Sequence, residues 1–455
     1  MMIKRILIAN RGEIAVRIIR TCKAMGIETV SVYSTADRDA LHVQLATRAV
    51  CIGEARPEES YLNMEKILNA ACLTGCDAIH PGFGFLSENP EFARLTQQCG
   101  LIFIGPSPEV IELMGNKAKA RETMIKAGVP VIPGSEGVVS EEEALGIAKT
   151  VGFPVLVKAR SGGGGRGMRR AESEETFRSA YRTAKAEAAA AFGDDGVYIE
   201  KVIEAAKHVE VQLMADHFGK TLHLFERDCS CQRRNQKIVE EAPCFTLPGT
   251  VREAMLRDAI KASRSVGYDS VGTIEFLWDG GERYYFMEMN TRIQVEHTIT
   301  EAITGIDLIK QQILIADHRP LTLEQEEISC EGHAIECRIN AEDVNADFAP
   351  RPGKITFLNL PGGKDVRIDT AVYNGYTVPP CYDSMMIKCI VKGKNRLEAI
   401  RRMRTALEEL IVEGVPNNAE FLYVLMHEPA FIKGHFDTGA IDQFVQELKA
   451  NGTII

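Results

Sequence analysis

Three segments of this sequence combine residue types at spacings that serve chemistry. In Val155-Leu156-Val157-Lys158-Ala159-Arg160-Ser161-Gly162-Gly163-Gly164-Gly165-Arg166-Gly167-Met168, an apolar run delivers a lysine and then four consecutive glycines. Without Cβ atoms, successive backbone N–H groups can close on phosphate oxygens, while Lys158 and Arg166 add positive charge. A Walker loop has the opposite order, its lysine following the glycines and opening a helix. The segment therefore predicts a mobile phosphate-covering lid. In the second segment, Thr273 to Asn290, side chains alternate faces, so Glu275 lies with Thr273 and Leu277, and Glu288 with Phe286 and Asn290. A four-residue loop, Gly280 to Arg283, sets Glu275 opposite Glu288. Facing carboxylates repel unless a cation sits between them. With Asn290 beside them, these hard oxygen ligands suit Mg²⁺ bridging to nucleotide phosphates. The third segment continues as Asn290-Thr291-Arg292-Ile293-Gln294-Val295-Glu296-His297. Read as a strand, it puts Asn290, Arg292, Gln294 and Glu296 on the face of Glu288. An arginine there can hold a planar anion bidentately, and a nearby carboxylate can take its proton.

Two further features are less specific. Asp228 to Lys237 is polar and basic after a good strand, as an anion-contacting loop or a merely exposed one would be. His208, at the start of a strand, reads by default as an ordinary histidine.

The elements that must position these groups fall into three regions. Residues 1–110 alternate strands (Ile6 to Ala9, Val30 to Tyr33, Ala78 to His80, Leu101 to Ile104) with helices (Glu13 to Met25, about Met64 to Thr74), which predicts βαβ units and a parallel sheet. The pattern is Rossmann-like, but the turn from the first strand into its helix, Arg11-Gly12-Glu13, lacks the G-x-G-x-x-G fingerprint, so a nicotinamide cofactor is disfavoured. From about residue 111 come helices, one opened by a Ser140/Glu143 capping box, and then strands of antiparallel character. These are Pro154 to Arg160, Val197 to Ile203, Val209 to Ala215, Thr221 to Arg227, Thr273 to Trp278 and Tyr284 to Met289. Helix Glu175 to Phe192 shows Phe177, Tyr181, Ala184 and Ala188 at helical spacing, a packing stripe. A third region, about 332 to 446, opens with Gly332-His333-Ala334-Ile335-Glu336 and ends in helices.

Composition narrows the class. At 455 residues, 45% hydrophobic and 25% charged, the chain suits about three globular domains. With 53 Lys+Arg against 63 Asp+Glu, its net charge of −10 opposes nucleic-acid or anionic-membrane coating. Charged residues interrupt every apolar run before the ~20 residues of a membrane helix. The twelve cysteines are scattered, without C-x-x-C or zinc spacing, as expected of thiols in a reducing cytosol. A cytoplasmic protein is expected.

Together these segments resemble the ATP-grasp enzymes and, among them, the biotin carboxylases. The likeness spans essentially the whole chain. It includes Ile8-Ala9-Asn10-Arg11-Gly12-Glu13-Ile14-Ala15, Tyr33-Ser34-Thr35-Ala36-Asp37, His80-Pro81-Gly82-Phe83-Gly84-Phe85-Leu86-Ser87-Glu88-Asn89, the glycine lid, and the highly specific Glu288 to His297 string. Arg338 within Glu336 to Glu342, and Tyr382-Asp383-Ser384-Met385, extend it into the third region. The resemblance implies an α/β protein: a Rossmann-like pre-ATP-grasp domain (1–114), an ATP-grasp domain (115–331) with its lid subdomain at about 131–203, and an α+β C-terminal domain (332–446).

It also implies Mg-ATP-dependent (or Mn-ATP-dependent) carboxylation of carrier-bound biotin by bicarbonate, through carboxyphosphate. Lys117 and Lys158 then hold ATP phosphates, with Gly164 and Gly165 in the lid. Glu200, Lys201, Val202 and Ile203 form the adenine-binding hinge, and His208, Gln232 and Asn235 contact the nucleotide. Glu275 and Glu288 bind the metal, with Asn290 nearby. Glu296 is the base for bicarbonate, Arg292 and Lys237 hold the anion with Gln294 and Val295 beside it, and Arg338 steadies the biotin enolate. Three positions depart from the family pattern: Arg160-Ser161 for a small residue and a first glycine, Asn235 for a histidine, and Asn116 for an aspartate. No Met-Lys-Met biotin-attachment site is present. The biotin carboxyl carrier protein and the carboxyltransferase are therefore expected on other polypeptides, and the family implies a homodimer. The transferase, and not this chain, selects acetyl-CoA, propionyl-CoA, pyruvate or another acceptor. Two other readings compete: an ATP-grasp ligase joining a carboxylate to an amine, and a catalytically silent nucleotide-binding subunit.

Overall fold

A computed structural model describes residues 2–160 and 167–452, without the side chain of Phe192. The N-terminal region forms the expected parallel sheet, in the order Arg48–Gly53, Glu28–Ser34, Arg5–Ile8, Ala78–His80, Ile102–Phe103. The strand Arg48–Gly53 was not expected. It is an edge strand with mostly exposed side chains, so it lacks the apolar signature of its neighbours. Helices Gly12–Ala24 and Met64–Leu73 cover the sheet with Ile14, Ile18, Ile19, Ile67 and Ala71 fully or nearly buried.

The antiparallel strands divide between two sheets. Met168–Ala171, Val155–Ala159 and Val197–Lys201 form a small three-stranded sheet. It packs against helix Glu174–Phe192 through the expected stripe of Phe177, Tyr181, Ala184 and Ala188, and against helix Glu141–Val151. The Ser140 hydroxyl and the Glu143 carboxylate close the expected capping box. Ser161, Gly162, Gly163, Gly164, Gly165 and Arg166, the heart of the expected lid, lie outside the described residues.

The second sheet has eight strands, in the order Tyr284–Asn290, Val271–Trp278, Lys207–Ala215, Thr221–Arg233, Gln236–Ala242, His333–Asn340, Met385–Gly393, Val366–Thr370. It runs unbroken across the expected division at residue 331, since Val239 pairs with Cys337 and Glu240 with Glu336. The third region is thus built onto the central sheet, and the groups near residues 296 and 338 share one framework.

Three local expectations are corrected. Strand Thr221–Arg233 outruns its expected end at Arg227, and Asp228 to Lys237 is a hairpin rather than a loop. Its exposed turn residues Arg234 and Asn235 have φ of 49° and 65°, the left-handed pair of a two-residue hairpin that favours Asn. Asn290 to Glu296 is not a strand: Asn290 ends one and His297 begins helix His297–Thr304. Finally, the hairpin loop between Trp278 and Tyr284 is one residue longer than expected, and a bulge beyond Phe276 offsets it. Glu275 therefore faces Glu288 as expected.

One buried ion pair fastens the C-terminal helices to the sheet. Arg396, opening helix Arg396–Glu409, donates from Nε and Nη2 to Glu241 at 2.6 and 2.9 Å, and His333 Nε2 lies 2.8 Å from the same carboxylate. Burial alone would raise the Glu241 carboxyl, but His333 and Arg396 outweigh it and hold it at about 2. A folded-state value below the ordinary 4.5 means the stabilisation is complete above pH 4.5 and is lost as pH falls toward 2. Glu241→Gln should destabilise the protein by about 3 kcal/mol at pH 7. Urea denaturation at pH 7 and pH 4 checks this. The gap between variant and wild type should narrow at the lower pH, and equal midpoints at pH 7 would contradict it.

Candidate active site

The site gathers where strands Lys207–Ala215, Val271–Trp278, Tyr284–Asn290, Gln236–Ala242 and His333–Asn340 present polar side chains around the 291–296 segment. Lys237 is its hub. Its amine donates to Glu210 at 2.6 Å, Glu296 at 2.7 Å and Glu275 at 3.1 Å. Burial would push this amine down, but Glu210, Glu275 and Glu296 outweigh burial and hold it well above the usual lysine range. Glu275 also accepts from Asn290 Nδ2 and Gln294 Nε2, both at 2.8 Å, and its second oxygen lies 3.1 Å from His208 Nε2. Burial opposes ionisation of Glu275, yet Lys237 and His208 keep its carboxyl far below the carboxylate range.

Glu296 is buried between two cations, with Lys237 on one oxygen and Arg338 Nη2 3.1 Å from the other. Burial would raise it, but Lys237, Arg338 and Arg227 prevail and hold it well below the usual range. Arg338 is also ion-paired with Glu240. Arg292 is aimed by Glu88, which takes Nε at 2.9 Å, and by Asn290 Oδ1, which takes Nη2 at 2.8 Å. The expected convergence of Asn290, Arg292, Gln294 and Glu296 thus holds, though not by strand alternation. Ile293 turns into the apolar core with the N-terminal sheet, and the irregular backbone brings the polar residues together. Arg292, Val295 and Arg338 line a cavity of about 520 Å³ with Phe83, Tyr382 and Cys381, at the junction of all three regions.

Lys117 and Lys158 bracket a second part of the site. Lys117 opens helix Lys117–Lys126, and its amine is 3.2 Å from Glu288, whose attraction, opposed by burial, raises the lysine. Asn116 caps that helix by accepting from Lys119 N at 3.1 Å. Since Asn caps as well as Asp does, this departure preserves the local structure. Lys158 is ion-paired with Glu200 across strands Val155–Ala159 and Val197–Lys201. The Lys201 amine is engaged elsewhere, donating to the Gly152 and Phe153 carbonyls at 2.9 and 2.7 Å. Val202 is tied by its N–H to Pro154 O at 3.0 Å, and half-buried Ile203 follows it. Gln232 is buried opposite Lys237 in the hairpin, whereas Asn235 stands exposed at its turn.

Glu275, Glu288 and the Asn290 amide supply hard oxygen donors from neighbouring strands, with Glu288 half-exposed and approached by a lysine. That donor set fits a hard divalent cation. His208, Glu210 and Glu275 form another compact group, their candidate ligand atoms lying within 4.8 Å of one another.

Sequence reasoning missed Glu210, Arg227 and Glu88. Fully buried Arg227 donates to Glu210 at 2.6 Å, Gln212 at 2.6 Å and Gln294 at 2.6 Å, and so sets the floor of the site. A signal for Glu210 exists: His208, Glu210 and Gln212 alternate with Val209, Val211 and Leu213, a polar face in an otherwise apolar strand.

The chain is similar to known proteins over nearly its whole length. Residues 2–111 match the family model of the biotin carboxylase N-terminal domain. Residues 116–324 match the ATP-binding domain of the carbamoyl-phosphate synthase L chain, and residues 336–443 match the biotin carboxylase C-terminal domain. Biotin carboxylase 1 of Bacillus subtilis is 53% identical over 445 residues, covering 97% of this chain and 99% of that one. The biotin carboxylase–β-γ-ATP complex of Campylobacter jejuni superposes with a TM-score of 0.93 at 48% identity, covering 97% of this chain and 99% of that one. The biotin carboxylase domain dimer of Hydrogenobacter thermophilus 2-oxoglutarate carboxylase, bound to MgADP, ADP and bicarbonate, also gives 0.93 at 48% identity, covering 97% and 98%.

Proposed function

The chain belongs to the biotin carboxylase family, an ATP-grasp family of ATP-dependent carboxylases, and from that premise we propose how its own residues carboxylate biotin borne on a separate carrier protein. The observation that carries the reading is a buried carboxylate, Glu296, bracketed by Lys237 and Arg338 beside the cavity that Arg292 also lines.

Bicarbonate enters that cavity as an anion and is held by Arg292 and Lys237. At rest Glu296 is a poor base, because Lys237 and Arg338 both stabilise its charge. An arriving anion draws on Lys237, so substrate binding itself raises the basicity of Glu296. Glu296 then takes the bicarbonate proton, and the freed oxygen attacks the γ-phosphorus of ATP, giving carboxyphosphate and ADP. Lys117 and Lys158 bind the ATP phosphates, and the Glu200 to Ile203 hinge and His208 hold the nucleoside. A divalent cation, when bound by Glu275 and Glu288, neutralises charge on the transferring phosphates. Carboxyphosphate breaks to CO2 and phosphate. The phosphate accepts the N1′ proton of biotin, and the enolate, its oxygen held by Arg338, attacks CO2 at N1′.

The biotin carboxyl carrier protein and carboxyltransferase subunits are the proposed partners. The dimer of the Hydrogenobacter thermophilus domain supports a homodimer. No described helix is long and apolar enough to cross a membrane. All twelve cysteines are free, which supports a cytoplasmic location.

ADP release by the purified chain tests the reading. Turnover with Mg-ATP should require bicarbonate and rise with added free biotin. Turnover that needs an amine and ignores bicarbonate would contradict it. Glu288→Gln should raise the Mg²⁺ concentration for half-maximal ADP release by about tenfold or more; an unchanged Mg²⁺ titration would remove Glu288 from the metal site.

A further inference from the structure

Lys388 lies fully buried in strand Met385–Gly393, behind the catalytic segment. Its amine donates to the Val295 carbonyl at 2.8 Å and sits 3.2 Å from the Glu13 carboxylate. Glu13 belongs to the first turn of helix Gly12–Ala24, and Val295 stands between Gln294 and Glu296. One ammonium group therefore joins all three regions of the chain at the residue preceding the proposed base.

Packing does not require that charge. A buried ammonium carries a large desolvation cost, and an apolar side chain of similar length fills the same space without it. Nor is Glu13 held by other partners: neither of its oxygens makes a directed hydrogen bond, which leaves the ion pair with Lys388 as its compensation. The contact to Val295 falls where regular structure gives no support, because residues 291–296 lie between a strand and a helix. Lys388 also stands directly opposite Arg338 across the strand ladder. Two cations so placed repel, which favours the approach of Arg338 to Glu240 and Glu296.

We propose that Lys388 is a positioning residue for the carboxylation chemistry: its hydrogen bond fixes the Val295 peptide, and with it the aim of Glu296, while Glu13 only offsets the cost of burying the ammonium charge. This rests on the functional reading above, in which Glu296 is the base.

Bicarbonate-dependent ADP release and thermal unfolding of Lys388→Met, Glu13→Gln and the double variant, against wild type, test the proposal. Lys388→Met should lower kcat by about tenfold or more through misplacement of the base, with KM for ATP within about twofold because the ATP-phosphate lysines lie elsewhere. It should also melt early, since Glu13 is left alone. The double variant removes both charges, so its melting temperature should recover while kcat stays low. Glu13→Gln keeps the Lys388–Val295 contact and should hold kcat within about threefold. A double variant with wild-type kcat would overturn the proposal. So would a Glu13→Gln loss as large as that of Lys388→Met, which would trace the effect to the charge pair. A wild-type enzyme without bicarbonate-dependent turnover would instead overturn the functional reading, and the proposal with it.

Discussion

Glu296→Gln is expected to lower bicarbonate-dependent ADP release by about 10²- to 10⁴-fold, the range for losing a positioned general base. The amide keeps the shape of the carboxylate and can still accept from Arg338, so the fold should survive. It also leaves one carboxylate fewer around Lys237, which remains paired with Glu210 and Glu275. ATP affinity should change little, because the lysines assigned to its phosphates contact Glu288 and Glu200, not Glu296. Rates measured at saturating bicarbonate, alongside direct nucleotide binding, check both halves. A variant with near-wild-type turnover would remove Glu296 from the base role.

Arg338→Gln should separate the two stages of the reaction. Arg338 reaches the cavity from the side of Glu296 opposite Lys237, so the bicarbonate and ATP contacts stay in place without it. Loss of one donor to a developing oxyanion costs about 10²- to 10³-fold. Biotin carboxylation should fall by that factor, while biotin-independent, bicarbonate-dependent ATP cleavage falls by less than about tenfold. Equal losses in both assays would mean that Arg338 acts on the first stage, through its pairing with Glu296. The variant also strips Glu240 of its ion-pair partner, so its thermal stability is best measured beside the rates.

Much of this site could be read from the chain because its chemistry is concentrated in short strings. Glu275 and Glu288 face each other as alternation predicts, although the loop is one residue longer than the spacing implies and a bulge restores the register. The Arg292 to Glu296 string was recognisable by residue type, but the predicted strand is absent. Polar side chains on an irregular backbone converge as well as strand neighbours do, and alternation alone cannot tell these cases apart. Contributions from distant segments were the least legible. Glu88 reaches Arg292 across 204 positions, and Lys388 reaches Val295 across 93. Only the tertiary fold brings such pairs together. Asn235 shows the reverse: a position assigned to the nucleotide by resemblance has a residue suited to its left-handed turn.

The proposed transfer of the carbon of bicarbonate onto biotin by way of ATP cleavage leaves a chemical trace on the biotin. Incubation with labelled bicarbonate, Mg-ATP and free biotin, followed by isolation of the biotin under mildly alkaline conditions, tests it most directly. Acid-labile label should appear on biotin, with one ADP for each carbon transferred when the two reactions are tightly coupled, and none should appear without ATP or in Glu296→Gln. ATP cleavage that proceeds with biotin present and leaves no label on it would contradict this transfer.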